Sequence, residues 1–338
     1  MSTIKALAAT GPHSPLTPFE YEPGSLGDEQ VEIAVDYCGV CHSDLSMLDN
    51  EWGTSAYPLV AGHEVIGKIT AVGSHAKNLH VGQTVGLGWF SGSCMSCPQC
   101  LGGDQNLCTT VEGTIVQRHG GFATHVRSHW AWATPLPAGL DPAKAGPLFC
   151  GGITVFNPII QLGIKPTDRV GVIGIGGLGH LALKLLRAWG CEVVAFTSSD
   201  SKREEALSLG AHRVVNSRNP DDLAKLAGSL QAIISTVNVT LDWQALIGAL
   251  APKGKLHTVG AVVEPISLAA FPLILGQKSL SGSPLGSPSN VATMLEFAAR
   301  HDVAPTTELF PMSKVNDALE HLRSGKARYR IVLQNDLN

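Results

Sequence analysis

At 338 residues, with 24 basic against 28 acidic side chains, the chain is long enough for two cores and carries a net charge of only −4, which gives no electrostatic footprint for nucleic acid or an anionic membrane surface. No uninterrupted apolar run is long enough to span a membrane, since LFCGGITVFNPII is broken at Asn157 and Pro158, and MSTIKALAATGPHSPL has no basic stretch leading into an apolar one. A cytoplasmic location is therefore expected, where thiols stay reduced and eight cysteines point to metal rather than disulfides.

The first 140 residues are rich in Gly and Pro, and VEIAVDY (31–37), EVIGKITAVG (64–73) and VGQTVGLG (81–88) read as strands bounded by turns. Between the first two lies CGVCH, residues 38–42, which fits three chemistries: covalent haem attachment, a redox pair, or metal ligation. A cytoplasmic location argues against haem. The other two stay open on this segment alone. AGHEVIG adds His63 and Glu64; it is not the protease pattern H-E-x-x-H, because position 67 is glycine. Further on, SCMSCPQCLGGDQNLC sets Cys94, Cys97, Cys100 and Cys108 at two, two and seven intervening residues. Four thiolates in one short loop suit a tetrahedral zinc with every position filled, a structural site. An iron–sulfur cluster is the rival reading, usually at other spacings.

From residue 142 the texture changes. PAKAGPLFCGGITVFNPIIQLG, which carries Cys150, reads as a buried helix. After it RVGVIGI, EVVAFT, RVVN, AIISTV and KLHTVG alternate with the helical stretches GLGHLALKLLRAWG, KREEALSLG, DDLAKLAG and LDWQALIGAL. In the first of these helices Leu178, Leu181, Ala182, Leu185, Leu186 and Trp189 share one face. This alternation predicts a parallel sheet wrapped by crossover helices. Two more helical stretches and a last strand, RYRIVL, follow KSLSGSPLGSP.

Gly174, Ile175, Gly176, Gly177, Leu178 and Gly179 supply G-x-G-x-x-G straight after a strand and at the mouth of a helix. In that setting backbone can approach a pyrophosphate while the helix N-terminus faces the anion. About twenty residues on, an NAD site usually carries an acid for the adenine ribose. Here the strand runs into Thr197, Ser198 and Ser199, with Lys202 close behind, which suits a 2′-phosphate and favours NADP(H); Asp200 in the same turn counts against it. With a nucleotide loop present, Cys41, His63 and Cys150 gain meaning together. Two thiolates and one imidazole are the ligand set of a catalytic zinc with an open fourth position.

These segments, with YCGVCHSDL, YPLVAGHEVIG, GPLFCGGITVF and KARYRIVL, span essentially the whole chain. On them the protein resembles the zinc-dependent medium-chain alcohol dehydrogenases, the cinnamyl-alcohol-dehydrogenase-like branch, and within it bacterial NADPH-dependent aldehyde reductases. The resemblance implies an α/β fold: a GroES-like β-rich catalytic domain at 1–150 completed by 287–338, and a Rossmann NADP-binding domain at 151–286, with the active site in the cleft. It implies two Zn2+ per chain, a homodimer, and hydride transfer between NADPH and aliphatic or aromatic aldehydes. Cys41 becomes a zinc ligand and Cys38 a strand residue. Asp44 is expected to orient His63, Glu64 to stand behind the metal and ligate it transiently, and Ser43 to start a proton relay. His42 is placed near the pyrophosphate, Thr154 near the nicotinamide ribose, and Thr236, Gly260, Ser283, Pro284 and Leu285 along the rest of the cofactor. Met47, Trp52, Trp89 and Leu285 are expected to wall an apolar substrate pocket. Many relatives have a histidine three residues after the relay hydroxyl; here Ser46 stands there, so the proton must leave by water, a cofactor hydroxyl or another group. Two readings of other classes, a nucleotide-binding protein without chemistry and a zinc-ribbon nucleic-acid module, sit poorly with the intact ligand trio and the acidic balance.

Overall fold

The computed structural model describes residues 3–337. The chain divides into two compact units at Cys150/Gly151 and Leu285/Gly286, the first made from both ends of the chain and the second from its middle.

In the first unit the strand Gln30–Val40 is the organiser. It pairs antiparallel with Val65–Val72, with His125–His129 and with Arg330–Gln334, within a seven-stranded sheet. Its alternating pattern sends Val31, Ile33 and Val35 into a core shared with Val65, Ile69, Val85, Phe122, Ile331 and Leu333, and a register shift between Val35 and Tyr37 precedes Cys38, which joins the same core. Burial at this scale contributes most of the unit's stability, at ~25 cal/mol per Å² of apolar surface removed from water. The strand at 330–334 ties the chain's last residues to its first domain, so the C-terminal segment is part of this core.

The middle unit is a six-stranded, all-parallel sheet in the spatial order 213–216, 192–197, 169–173, 230–235, 250–258, 279–282. Numbered along the chain that is 3-2-1-4-5-6, the doubly wound Rossmann order. Its strands are continuous apolar runs because both faces are covered: Val193, Val194, Ala195 and Phe196 are all buried. Strand order reverses beside Arg169–Ile173, and the residues leaving that switch point are Gly174 and Thr236. Helix Gly179–Trp189 starts there, and Leu178 serves as its N-cap instead of joining the apolar face.

One expected element is broken. The stretch 142–161 is not a single helix but a short helix Pro142–Ala145, a 3-10 turn Gly146–Phe149 and a helix Gly151–Gln161. Cys150 lies at the break, with φ −123° and ψ −79°. Pro147, which has no N–H to continue a helix, stands in the turn, and a Cβ on Gly146 would come within 2.6 Å of the Glu64 carbonyl oxygen, so the turn is pressed against the segment that carries His63 and Glu64.

Candidate active site

Cys41 ends the long strand and caps the helix His42–Leu48. Its neighbour Asp44, fully buried, bonds three groups at once. One carboxylate oxygen accepts from the Cys41 backbone N–H at 2.9 Å; the other accepts from Gly62 N–H at 2.8 Å and faces His63 Nδ1 at 2.9 Å. Gly62 takes φ 98°, and a Cβ there would strike Phe122 at 2.6 Å, so only glycine lets the chain turn tightly enough to deliver His63. Asp44 thus fixes the imidazole with Nδ1 toward itself and Nε2 toward Cys150 Sγ, 3.3 Å away.

The ligand atoms of Cys41, His63, Glu64 and Cys150 all lie within 4.8 Å of one another, and all four residues are buried. Tetrahedral zinc with ordinary Zn–S and Zn–N lengths needs N···S separations of about 3.5 Å, so the His63–Cys150 spacing fits. The charge state fits as well. The two buried thiols titrate as a pair: a hydrogen bond from Cys150 pulls Cys41 well below the usual thiol range, and the same bond, with burial, pushes Cys150 well above it. Burial opposes charge on His63, but the Asp44 carboxylate outweighs it and raises that pKa well above normal. Two thiols and an imidazole buried together are a donor set that a divalent zinc would hold with the thiols deprotonated.

Glu64 stands behind this trio, 4.0 Å from His63 Nε2. One of its oxygens pairs with the buried guanidinium of Arg330, and the other has no hydrogen-bond partner among the described residues. Burial raises the Glu64 pKa while Arg330 works against it. Gly39, in the middle of CGVCH, exists for this carboxylate: a Cβ would lie 2.0 Å from Glu64 Oε2. Sequence reasoning gave Arg330 no role. The signal was an arginine inside the apolar run RYRIVL, a charge that a buried strand tolerates only when paired. Cys38 takes no part; it is a buried, un-ionised thiol of the strand, with burial pushing its pKa up. Haem and redox readings of CGVCH lose support with it, since both need the two cysteines to act together, and here both are free thiols of which only Cys41 belongs to the ligand cluster.

Ser43 is half-buried with Oγ 3.8 Å from Cys41 Sγ, at the edge of the ligand set. One helical turn on, Ser46 Oγ donates to Glu51 Oε2 at 2.6 Å, a pairing that sequence reasoning missed. Trp89 packs edge-on against His63 at 4.8 Å and against Trp52 at 5.7 Å. Trp52 keeps 44% of its surface exposed, so an aromatic wall leads from solvent to the metal-binding imidazole. Met47 is a correction. It is 0% exposed within the core, its sulfur facing the Thr54 hydroxyl, and it backs the wall without presenting surface to a substrate. His42 is exposed at the start of the same helix.

In the second lobe, Cys97 caps the short helix Pro98–Leu101, and the sulfurs of Cys94 and Cys97 accept the N–H groups of Cys97 and Cys100. Cys94 Sγ lies 3.9 Å from Cys100 Sγ and 3.6 Å from Cys108 Sγ, and all four sulfurs fall within 4.8 Å. Sulfurs around one tetrahedral zinc are about 3.8 Å apart. That spacing encloses a single ion, not the multi-atom cage of a cluster.

The nucleotide loop lies at the carboxyl ends of the parallel strands. Gly174 has φ 86°, and a Cβ on Gly179 would stand 1.7 Å from the Gly174 carbonyl oxygen, which is why helix and strand can meet so closely. Thr236 Oγ donates to the carbonyls of Ile173 and Gly174, both at 2.9 Å, and Gly260 is held against the Val237 carbonyl. Gly176 has open space where its side chain would be, and Ile175 is buried. After Glu192–Thr197 the Thr197 hydroxyl closes a turn with Ser199, leaving Ser198 exposed and Lys202 half-buried. The Asp200 side chain lies outside the described residues. Thr154 is buried in the helix Gly151–Gln161, while Ser283, Pro284 and Leu285 leave the last strand of the sheet.

Residues 27–138 match the alcohol dehydrogenase GroES-like domain, and residues 177–300 match the zinc-binding dehydrogenase domain. The aldehyde reductase AdhA of Synechocystis sp. is 57% identical over 335 residues, 99% of this chain and 100% of that protein. The chain belongs to the zinc-dependent alcohol dehydrogenases, in the cinnamyl-alcohol-dehydrogenase-like branch. A cinnamyl alcohol dehydrogenase structure from Sorghum bicolor superposes with a TM-score of 0.93 at 36% identity, covering 98% of each chain. One from Helicobacter pylori, complexed with NADP(H), gives 0.89 at 29% identity, again with 98% of each chain covered. The chain is therefore a zinc and nicotinamide-dependent oxidoreductase with alcohol dehydrogenase/aldehyde reductase activity on small molecules. No helix among the described residues is long and apolar enough to cross a membrane.

Proposed function

We propose that this enzyme reduces aliphatic or aromatic aldehydes with NADPH, binds two zinc ions per chain and works as a homodimer in the cytoplasm. The observation that carries the chemistry is the buried set Cys41, His63 and Cys150, oriented by Asp44. When bound, zinc acts as a Lewis acid on the carbonyl oxygen and the reduced nicotinamide supplies hydride. Cys41, His63 and Cys150 hold the metal, and Asp44 keeps His63 in the ligating tautomer. Glu64, whose Arg330-paired oxygen stands 4.0 Å from His63 Nε2, would serve as the alternative ligand during exchange. Ser43 Oγ gives the developing alcohol its proton. Ser46, a turn further along the helix, donates to the exposed Glu51 carboxylate, a solvent-facing acceptor that could take the place of the histidine other relatives carry. Trp52 and Trp89 exclude water and select apolar substrates.

NADPH rests on Ser198, Ser199 and Lys202 in the turn after Glu192–Thr197. Hydroxyls and a cation there suit a 2′-phosphate, and the loop 174–179 suits the pyrophosphate. A charge-assisted hydrogen bond contributes about 1.5–3 kcal/mol, and about 1.4 kcal/mol is tenfold in affinity, so one surviving contact yields a clear preference. The homodimer is supported by the edge strand Ser279–Gly282, beside which Val263, Phe271, Ile274 and Leu275 keep 93%, 67%, 69% and 71% of their surface exposed. The test is kcat/KM for NADPH and NADH with one saturating aldehyde. Wild type should favour NADPH, and Ser198→Asp with Lys202→Ala should erase most of that preference. A wild type that favours NADH refutes the cofactor assignment.

A further inference from the structure

His257 is fully buried on the strand Leu250–Thr258. Its register partner on the neighbouring strand is Ser281, and Ser283 lies two residues further on the same face. The ring bridges them: Nδ1 is 2.9 Å from Ser281 Oγ and Nε2 is 2.9 Å from Ser283 Oγ. Burial pushes the imidazole down to about 4, so at neutral pH it carries one proton. A neutral ring is a donor at one nitrogen and an acceptor at the other. The row Ser281–His257–Ser283 therefore holds three N–H or O–H protons and two internal hydrogen bonds. With Nε2 protonated, Ser283 accepts from the ring and its own proton points outward. With Nδ1 protonated, Ser283 donates to the ring and presents only lone pairs. Either way the Ser283 hydroxyl cannot rotate freely, and its polarity is set from behind.

The same segment is pinned a second time. Asn157 Nδ2 donates to the Leu285 carbonyl at 2.6 Å, and Leu285 sits at φ 44°, a left-handed conformation costly for a branched side chain. Two side chains thus hold 283–285 in one shape at the carboxyl edge of the parallel sheet, where ligands of this fold bind. We propose that His257 is a positioning residue for the nicotinamide end of the cofactor, fixing the Ser283 hydroxyl as a directed partner for the carboxamide. This rests on the reading of Ser283–Leu285 as cofactor-lining.

The test compares binding of the whole dinucleotide with that of the same molecule lacking nicotinamide, using zinc-loaded enzyme and calorimetry: NADPH against 2′-phospho-ADP-ribose, and NADH against ADP-ribose. An error in the 2′-phosphate assignment changes which pair binds more tightly, but not the difference within a pair. His257→Phe and Ser283→Ala should each raise Kd for the dinucleotide roughly tenfold, the effect of one lost directed hydrogen bond, and leave the fragment within about twofold. His257→Gln, which keeps a donor and an acceptor, should lie between. Equal weakening of dinucleotide and fragment means a general structural role and overturns the proposal, as does no weakening of either. Should His257→Phe fail to fold, Ser283→Ala decides alone: a selective loss supports the proposal, and unchanged binding rejects it.

Discussion

Asp44 shows how much one side chain can organise. It closes the cap of its own helix, bonds the turn that delivers His63 and orients the imidazole, all from a fully buried position. In the proposed relay Ser43 and Glu51 would divide a different task, one proton at the substrate and one carboxylate toward solvent. Ser43→Ala should cut turnover by about 10²–10⁴-fold, as for a lost general acid, while zinc content and cofactor affinity hold. Glu51→Gln should cost less, about tenfold or under, because water can replace a solvent-facing acceptor. Rates from both variants check the order of the relay; a larger loss in Glu51→Gln than in Ser43→Ala would reverse it.

At the scale of elements, the helix His42–Leu48 must stay fixed if Ser43 and Asp44 are to keep their places. Its end is clamped to the helix Val315–Arg323: Arg323 donates to both oxygens of Asp49 at 2.6 and 2.8 Å. Those bonds hold the Asp49 carboxyl below the usual range. A depressed folded-state pKa means the clamp contributes fully above the ordinary carboxylate value of about 3.9 and fades as pH falls through the lower folded value. Arg323 is partly exposed, so the contribution is discounted to about 1 kcal/mol. Asp49→Asn should therefore lose about that much in urea melts near neutral pH, and the gap to wild type should narrow on acidification; a gap that widens toward acid would contradict the sign.

Elements also show what the sequence could and could not reveal. The four-cysteine spacing, the glycine loop and the strand–helix alternation are legible because each is local: a spacing, a turn residue, a period; Cys41, His63 and Cys150, up to 109 residues apart, gain meaning only beside the nucleotide loop and through the family resemblance. Arg330 on Glu64 and His257 on Ser283 are not legible, since their partners lie 266 and 26 residues away and only the sheet brings them together. Met47, expected in the pocket from the resemblance alone, lies in the core because the fold around its helix covers it, which no local pattern shows.

At the scale of the whole molecule, the exposed apolar helix Ala270–Gly276 beside an open edge strand asks for a covering surface. Phe271→Asp with Ile274→Asp should convert a dimer into a monomer in light scattering, with zinc content unchanged. A wild type already monomeric at micromolar concentration would refute the dimer.

Everything functional turns on the buried trio, and Cys150→Ser isolates it. The measurement is NADPH-driven aldehyde turnover of this variant beside wild type, with zinc per chain determined on the same samples. Loss of a Lewis acid worth several kcal/mol should lower turnover by about 10³-fold or more, while zinc falls from two per chain to one and the lobe of Cys94, Cys97, Cys100 and Cys108 keeps its ion. Substantial turnover in a Cys150→Ser enzyme lacking the second zinc would contradict the account.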